Sequence, residues 1–294
     1  MTSEPATRAT ARYELPTDPG SAEVAAARLW AAGAHGVWER PTGLVAWFDA
    51  PTDAVPPGGS WAVEPDHDWQ AAWKATIRPV HAGRFAVVPT WLAQDHRPAP
   101  DELTLVLDPG RAFGTGHHAT TVLCLELLDE LAAHRHDGTA LEGLEVADIG
   151  CGTGVLAIAA ARLGARVTAV DIDPDAVEVT GDNAALNGVV LDAAVGSVEA
   201  LERRVDVVVA NLVTDVVADL AEALVTGARR NLIVSGITVE RQHVALEPLV
   251  AAGLVVETTR ARDGWVAVSG HRDDAGRPAG RAVEVAPDPP DPRG

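Results

Sequence analysis

The chain has 294 residues, 47% of them apolar and 22% charged, enough for one large or two modest domains with an ample core. Its formal net charge of -19 argues against the basic footprint of direct nucleic-acid binding, and its single lysine, Lys74, excludes a Walker-type phosphate loop and a pyridoxal Schiff base. No apolar run is long enough for a membrane span, the N-terminus lacks a basic-then-apolar leader, and Cys124 and Cys151 lack metal-like spacing, so a cytoplasmic protein without disulfide framework or metal site is expected.

Residues 1–12 are polar, and from Tyr13 a small α+β domain is predicted over residues 13–60. It comprises a strand over 13–15, a helix over about 21–32, and strands over 36–40 and 44–49 around the turn residues 41–43. Ser21 is the expected N-cap, with Val24, Ala27, Leu29 and Trp30 on the apolar face. The Pro-, Gly- and Asp-rich stretch 51–59 marks the expected boundary. In the linker that follows, 61–80, Trp69 and Trp73 stand four apart with Ile77 beyond, one face of a short helix better suited to packing between domains than to holding a ligand.

The third predicted region, 81–272, opens with strand-like runs at 85–89 and 103–107. A loop dense in glycine and hydroxyls, 108–121, then leads into an apolar helix from about 121 to 131 and is placed to close over a ligand. Asp148-Ile149-Gly150-Cys151-Gly152-Thr153-Gly154 follows the apolar run 144–147 and opens onto a helix over 155–163, so it reads as strand, glycine turn and helix start. A dinucleotide fingerprint is Gly-x-Gly-x-x-Gly; this turn is Gly-x-Gly-x-Gly after an acid, which speaks against an NAD-dependent oxidoreductase. A second strand, 166–170, ends in Asp171, whose carboxylate could accept hydrogen bonds from both hydroxyls of a ribose.

Beyond it the chain alternates: helix 173–187, strand 191–195, strand 205–210, helix 214–225, strand 231–235 and helix 239–252. Residues 254–260 and 265–270 flank Arg262-Asp263-Gly264 as a closing hairpin. Unbroken β-branched runs suit a parallel sheet buried on both faces, so an α/β, doubly wound, mostly parallel sheet with a terminal antiparallel strand is expected. Ligands of such sheets sit at the strand tips, where Asn211 adds a carboxamide able to hold an amine. Residues 273–294 read as a disordered tail.

The glycine turn, Asp171 and the Asn211-Leu212 pair resemble class I S-adenosylmethionine-dependent methyltransferases. The loop Phe113-Gly-Thr-Gly-His-His-Ala-Thr-Thr121 resembles, more narrowly, the PrmA family of ribosomal protein L-eleven methyltransferases. Gly36-Val37-Trp38-Glu39-Arg40, the 68–74 segment, Asp171-Ile172-Asp173-Pro174, Ser235-Gly236-Ile237 and Gly264-Trp265-Val266 agree with it, so the resemblance spans roughly residues 13–272. It implies a seven-stranded sheet, S-adenosylmethionine as cofactor, and methylation of lysine, with a possible N-terminal amine, on a large-subunit ribosomal protein. The small domain would then recognise that substrate.

Cofactor contacts carried over from the family fall on Thr121, Gly150, Asp171 and Asn211, with Gly152, Phe113, Thr115 and His118 in the matched motifs, and Asn211 also positions the substrate amine. Where many members have Asn-Ile-Leu, this chain has Asn211-Leu212-Val213; the Asn-Pro-Pro-aromatic pattern of amide-methylating relatives is absent, which favours an amine acceptor. No dedicated general base is evident, and His117 and His118 are candidates for either accepting a proton or structuring the loop. Partners beyond the ribosomal protein are not expected: no nucleic acid, no membrane, and a monomer. Methylation of a different protein lysine, or a non-catalytic cofactor-binding role in ribosome assembly, stays open at this point.

Overall fold

In the computed structural model, which describes residues 10–40, 42–64, 77–108, 116–133 and 141–272, the chain forms two units, Met1–Ile77 and Arg78–Gly294. The first begins with strand β1 (Thr10–Leu15), whose alternate residues Ala11, Tyr13 and Leu15 point into a core. Helix α1 (Pro19–Ala31) starts earlier than expected, because Asp18 is its N-cap: the Ser21 amide donates to the Asp18 carboxylate at 3.1 Å. Pro19 at the first helical position has no N–H to leave unpaired, so the pair Asp18-Pro19 outcompetes Ser21.

The buried face of α1 also differs from expectation. Ala22, Ala26 and Leu29 face the sheet, with Ala25 and Trp30 partly buried, whereas Val24 is 45% exposed and Ala27 is exposed. The run Ala25-Ala26-Ala27 carries no phase of its own, and small side chains allow a close approach to the strands.

Strands β2 (Gly36–Arg40), β3 (Gly43–Phe48) and β4 (Ser60–Glu64) complete an antiparallel sheet in the order β2-β3-β1-β4. Because β4 returns to pair with β1, the 51–59 stretch is a loop inside this unit rather than its boundary. Tyr13 fastens that loop: its hydroxyl donates to the Pro56 carbonyl and accepts from the Gly59 amide at 2.9 Å. A Cβ at Gly59 would lie 2.3 Å from the Tyr13 ring, which is why glycine stands there. The Trp69/Trp73 helix expected in the linker lies outside the described residues.

The second unit opens with a three-stranded sheet, β5 (Val80–Ala82), β6 (Phe85–Pro89) and β7 (Leu103–Leu107), with β6 and β7 parallel. Helix α2 (Ala119–Ala133) follows, buried on nearly all sides from Ala119 to Leu125. The main sheet then builds from β8 (Glu145–Ile149), β9 (Arg166–Asp171), β10 (Asp192–Val195), β11 (Val205–Asn211), β12 (Ala228–Thr238), β13 (Leu254–Arg262) and β14 (Trp265–Arg272). Its order is β10-β9-β8-β11-β12-β14-β13, seven strands as expected. Only β14 runs antiparallel to its neighbours, and it sits one place in from the edge, between β12 and β13.

Helices α3 (Val155–Arg162), α4 (Pro174–Leu186), α5 (Thr214–Gly227) and α6 (Gln242–Ala251) wrap the sheet. Strand β11 shows why it must be covered twice: Val207 and Val209 join one core with α2 and α3, while Val208 and Ala210 join the other with α5 and α6. Strand β12 runs longer than expected because it bends at Gly236 and continues to Thr238, and the helix expected over 239–252 begins as a short 3-10 turn, Val239–Arg241. No helix among the described residues is long and apolar enough to cross a membrane.

Candidate active site

Adjacent strands β9, β8 and β11 end side by side, and their tips bring the sequence-predicted residues together. After β8 the chain bends through Gly150 and Gly154, both left-handed, with φ of +74° and +78°. These conformations suit glycine for steric reasons as well. A Cβ on Gly150 would lie 2.3 Å from Leu212 Cδ2, and one on Gly154 would lie 2.8 Å from Thr180 Cγ2. The turn is tied back to β9 by the Gly150 and Cys151 amides, which donate to the Val170 carbonyl at 2.8 and 3.1 Å.

Asp171, at the tip of β9, joins the turn directly. One carboxylate oxygen accepts from the Gly152 amide and the other from the Asp173 amide, each at 3.0 Å. A carboxylate has about four lone-pair sites, so these two bonds fix its orientation and leave acceptor capacity for hydroxyl groups. Ile172, directly after it, is 78% exposed, an apolar side chain held in solvent beside a polar anchor. Its signal in the sequence was its place after a strand-tip acid, where the core pattern of β9 had already ended.

Asn211, at the tip of β11, donates from Nδ2 to Thr121 Oγ1 at 3.3 Å, joining the third strand tip to the first turns of α2. The next residue, Leu212, is gripped from two sides. Its side chain fills the space a Gly150 Cβ would take, and its carbonyl oxygen lies 2.0 Å from where a Cβ on Gly236 would be. Gly236, with φ of +82°, is therefore part of the same arrangement.

Asp148 is the least satisfied group at this end. It is buried, its Oδ2 accepts from the Ala157 amide at 2.9 Å, and Oδ1 has no hydrogen-bond partner among the described residues. Burial pushes its carboxyl up to about 7; the Ala157 bond opposes this and Asp171 adds to it. Cys151 is pushed up to about 12, mainly by burial, and burial also raises Cys124, so neither thiol is a nucleophile at neutral pH. Among the described residues no acid, histidine and cysteine group is arranged to hold a metal.

The two histidines of the loop diverge. His117 Nε2 lies 2.8 Å from the Arg78 carbonyl, an anchoring contact. His118 packs edge-on against Trp265 with ring centroids 4.8 Å apart, and its Nδ1 lies 2.8 Å from Thr120 Oγ1. Burial lowers its pKa, against the pull of Asp263, which favours neutral imidazole. Phe113 and Thr115 lie outside the described residues.

Thr121, Gly150, Gly152, Asp171 and Asn211 thus form one connected group, through the Gly152–Asp171 and Asn211–Thr121 bonds and the packing of Leu212 on Gly150. It offers left-handed turn backbone, an oriented carboxylate, a carboxamide and a buried acid awaiting a donor. That set of acceptors fits a ligand with vicinal hydroxyls at one end and an ammonium at the other, as an adenosyl amino acid has.

A family profile described as "Ribosomal protein L11 methyltransferase (PrmA)" matches residues 55–273. A protein of that name from Symbiobacterium thermophilum is 40% identical over 210 residues, covering 69% of this chain and 65% of the relative. The one from Deinococcus radiodurans is 37% identical over 282 residues, covering 89% of this chain and 99% of the relative. Against Symbiobacterium, Pelobacter and Pelotomaculum relatives, the chain spans 65% of their length. Among solved structures, a ribosomal protein L11 methylase from Lactobacillus delbrueckii subsp. bulgaricus superposes with a TM-score of 0.58 at 30% identity, covering 67% of this chain and 99% of the other.

Proposed function

The chain belongs to the ribosomal protein L11 methyltransferase family, and from that premise we propose that it transfers methyl groups from S-adenosylmethionine to amines of ribosomal protein L11. The observation that carries this reading is the hydrogen bond from Asn211 to Thr121, which joins the strand-tip carboxamide of β11 to the first turn of α2. When bound, the cofactor supplies an electrophilic methyl group on a sulfonium sulfur.

Each residue then has a defined task. Asp171 accepts hydrogen bonds from the ribose hydroxyls, already oriented by the Gly152 and Asp173 amides. Ile172 offers an apolar ledge beside it for the adenine. The turn at Gly150 and Gly152 lets backbone approach the ligand closely, and Asp148 meets its ammonium end. Thr121 closes the other side, and Phe113 and Thr115 are further proposed cofactor contacts from the sequence motif. His118, neutral and packed on Trp265, shapes that wall.

Asn211 spends Nδ2 on Thr121, so its side-chain oxygen is the group that receives and orients the substrate amine. A lysine has a pKa of ~10.4, and holding it neutral at pH 7 costs roughly 4.6 kcal/mol. Desolvation at the strand tips and alignment by Asn211 supply that preference. The unit Met1–Ile77 recognises the substrate protein, and the enzyme works as a cytoplasmic monomer without binding nucleic acid or membrane.

Incubating the chain with methyl-labelled cofactor and purified L11, followed by mass spectrometry of the product, tests the proposal. Label on lysine or the N-terminal amine of L11 is expected. Transfer to another protein only would overturn the substrate, and binding without transfer to any protein would favour a cofactor-binding assembly factor.

A further inference from the structure

Helix α4 and its C-cap residue turn three side chains toward the glycine turn and the small sheet, and the proposed function uses none of them. Thr180, Asn183 and Asn187 fall on one face at helical spacing. Thr180 donates from Oγ1 to the Gly152 carbonyl at 3.0 Å. Asn183 is 1% exposed and uses both ends of its carboxamide: Oδ1 accepts from the Asp108 amide at 2.9 Å, and Nδ2 donates to the carbonyls of Asp108 at 3.1 Å and Thr153 at 2.9 Å. Asn187 treats Val106 the same way, accepting from its amide at 2.8 Å and donating to its carbonyl at 2.6 Å.

Val106 of β7 and Asp108, one residue past its end, are alternate residues turned away from the side that pairs with β6. The two carboxamides therefore satisfy backbone groups that a further strand would otherwise take. They are not equivalent. Asn187 touches β7 and its own helix, whereas Asn183 alone also reaches the glycine turn through Thr153. Asp108 is the residue from which the chain enters the loop leading to Thr121.

We infer that Asn183 is a positioning residue of the donor pocket, holding the Gly150–Gly154 turn at a fixed separation from Asp108 at the end of β7. The inference rests on reading this pocket as the methyl-donor site. A side chain bonded to both Asp108 and the glycine turn holds in place what would otherwise be ordered at the moment of binding, so its loss falls on donor affinity more than on turnover once the donor is bound. Asn187 serves the strand without the turn, so its loss falls on stability.

The test compares Asn183→Ala, Asn183→Asp and Asn187→Ala by calorimetry with S-adenosylhomocysteine, by thermal melting, and by steady-state kinetics over donor concentration. Losing two or three buried hydrogen bonds to Asp108 and Thr153 is expected to raise the donor KM and the S-adenosylhomocysteine Kd about tenfold in both Asn183 variants, with kcat within about twofold. Asp keeps the volume and the bond from the Asp108 amide but cannot donate to either carbonyl when ionised, so it isolates the donated bonds. Asn187→Ala should lower the melting temperature with donor KM within about twofold of wild type.

Hydrogen exchange on the wild-type chain gives a reading that needs no variant. Saturating S-adenosylhomocysteine should increase protection of the Asp108 amide by at least about tenfold while the Val106 amide changes little. Unchanged Asp108 protection on binding, a folded Asn183 variant with wild-type affinity, or an equal loss in Asn187→Ala overturns the inference. A wild-type chain that binds no S-adenosylhomocysteine overturns the donor-site reading itself.

Discussion

The two ends of the central sheet both carry buried or half-buried acids, and they satisfy them in opposite ways. At the starting end of β8 and β11, Glu145 is met by Arg166, Arg203 and Arg229, and Asp206 by Arg229 and Arg230, with the Glu145 amide also donating to Asp206 at 3.0 Å. At the finishing end, among the described residues, Asp148 has no cation and one oxygen without a partner, and Asp171 is met only by backbone amides. Acids met by arginine within the chain hold the fold together; acids with acceptor capacity left over mark where a ligand's donors enter.

The contrast is sharpest in pH dependence. With its carboxyl raised from an ordinary 3.8 to about 7, Asp148 keeps its proton in the native state over a range where the unfolded chain has lost it. Stability from this group is full below the unfolded value and is lost as pH rises toward 7, by on the order of 4 kcal/mol for a fully buried carboxyl. Urea denaturation from pH 4 to 8 should show that decline in wild type and not in Asp148→Asn; parallel curves would break the comparison.

Asp171→Ala comes next. Removing a carboxylate proposed to receive both ribose hydroxyls should weaken S-adenosylhomocysteine binding about 100-fold, roughly 2.7 kcal/mol, as read by calorimetry. Gly150→Ala combines a left-handed backbone with a Cβ pressed on Leu212, and a loss of about 1–3 kcal/mol in unfolding free energy is expected together with weaker donor binding. The smallest effect belongs to the other end. Arg166 and Arg203 are 69% and 72% exposed at their side chains, so solvent screens their pairing with Glu145. Glu145→Ala should lower stability by about 1 kcal/mol and leave donor affinity unchanged; a change in affinity would erase the distinction between the ends.

What the sequence discloses follows the same division. The turn from Gly150 to Gly154, Asp171 and Asn211 are legible because each combines a local backbone demand with a strand ending, and both can be read from neighbouring residues. The seven strands and the reversed hairpin are legible from apolar runs and turn residues. Choices that depend on packing are not. Asp18 and Ser21 are both acceptable caps, and only the proline between them selects the first. Val24 is more apolar than Ala26, yet the sheet takes the smaller side chain because the helix lies close. The loop over 51–59 has the composition of a boundary, and the partner that makes it an internal loop is Tyr13, more than forty positions away. Asn183 and Asn187 are the extreme case, since their partners lie 75 and 81 residues earlier in the chain.

The placement of β14 between β12 and β13 has a consequence for synthesis of the chain. The four-stranded sheet has all its strands once Glu64 has been made, whereas β12 and β13 have no partner between them until Arg272 is added. About 200 residues separate those events, roughly 10–40 s at ordinary elongation rates. For most of that interval β12 and β13 have not yet been made either, since β12 starts at Ala228 and β13 ends at Arg262, so the larger sheet closes only when β14 follows them.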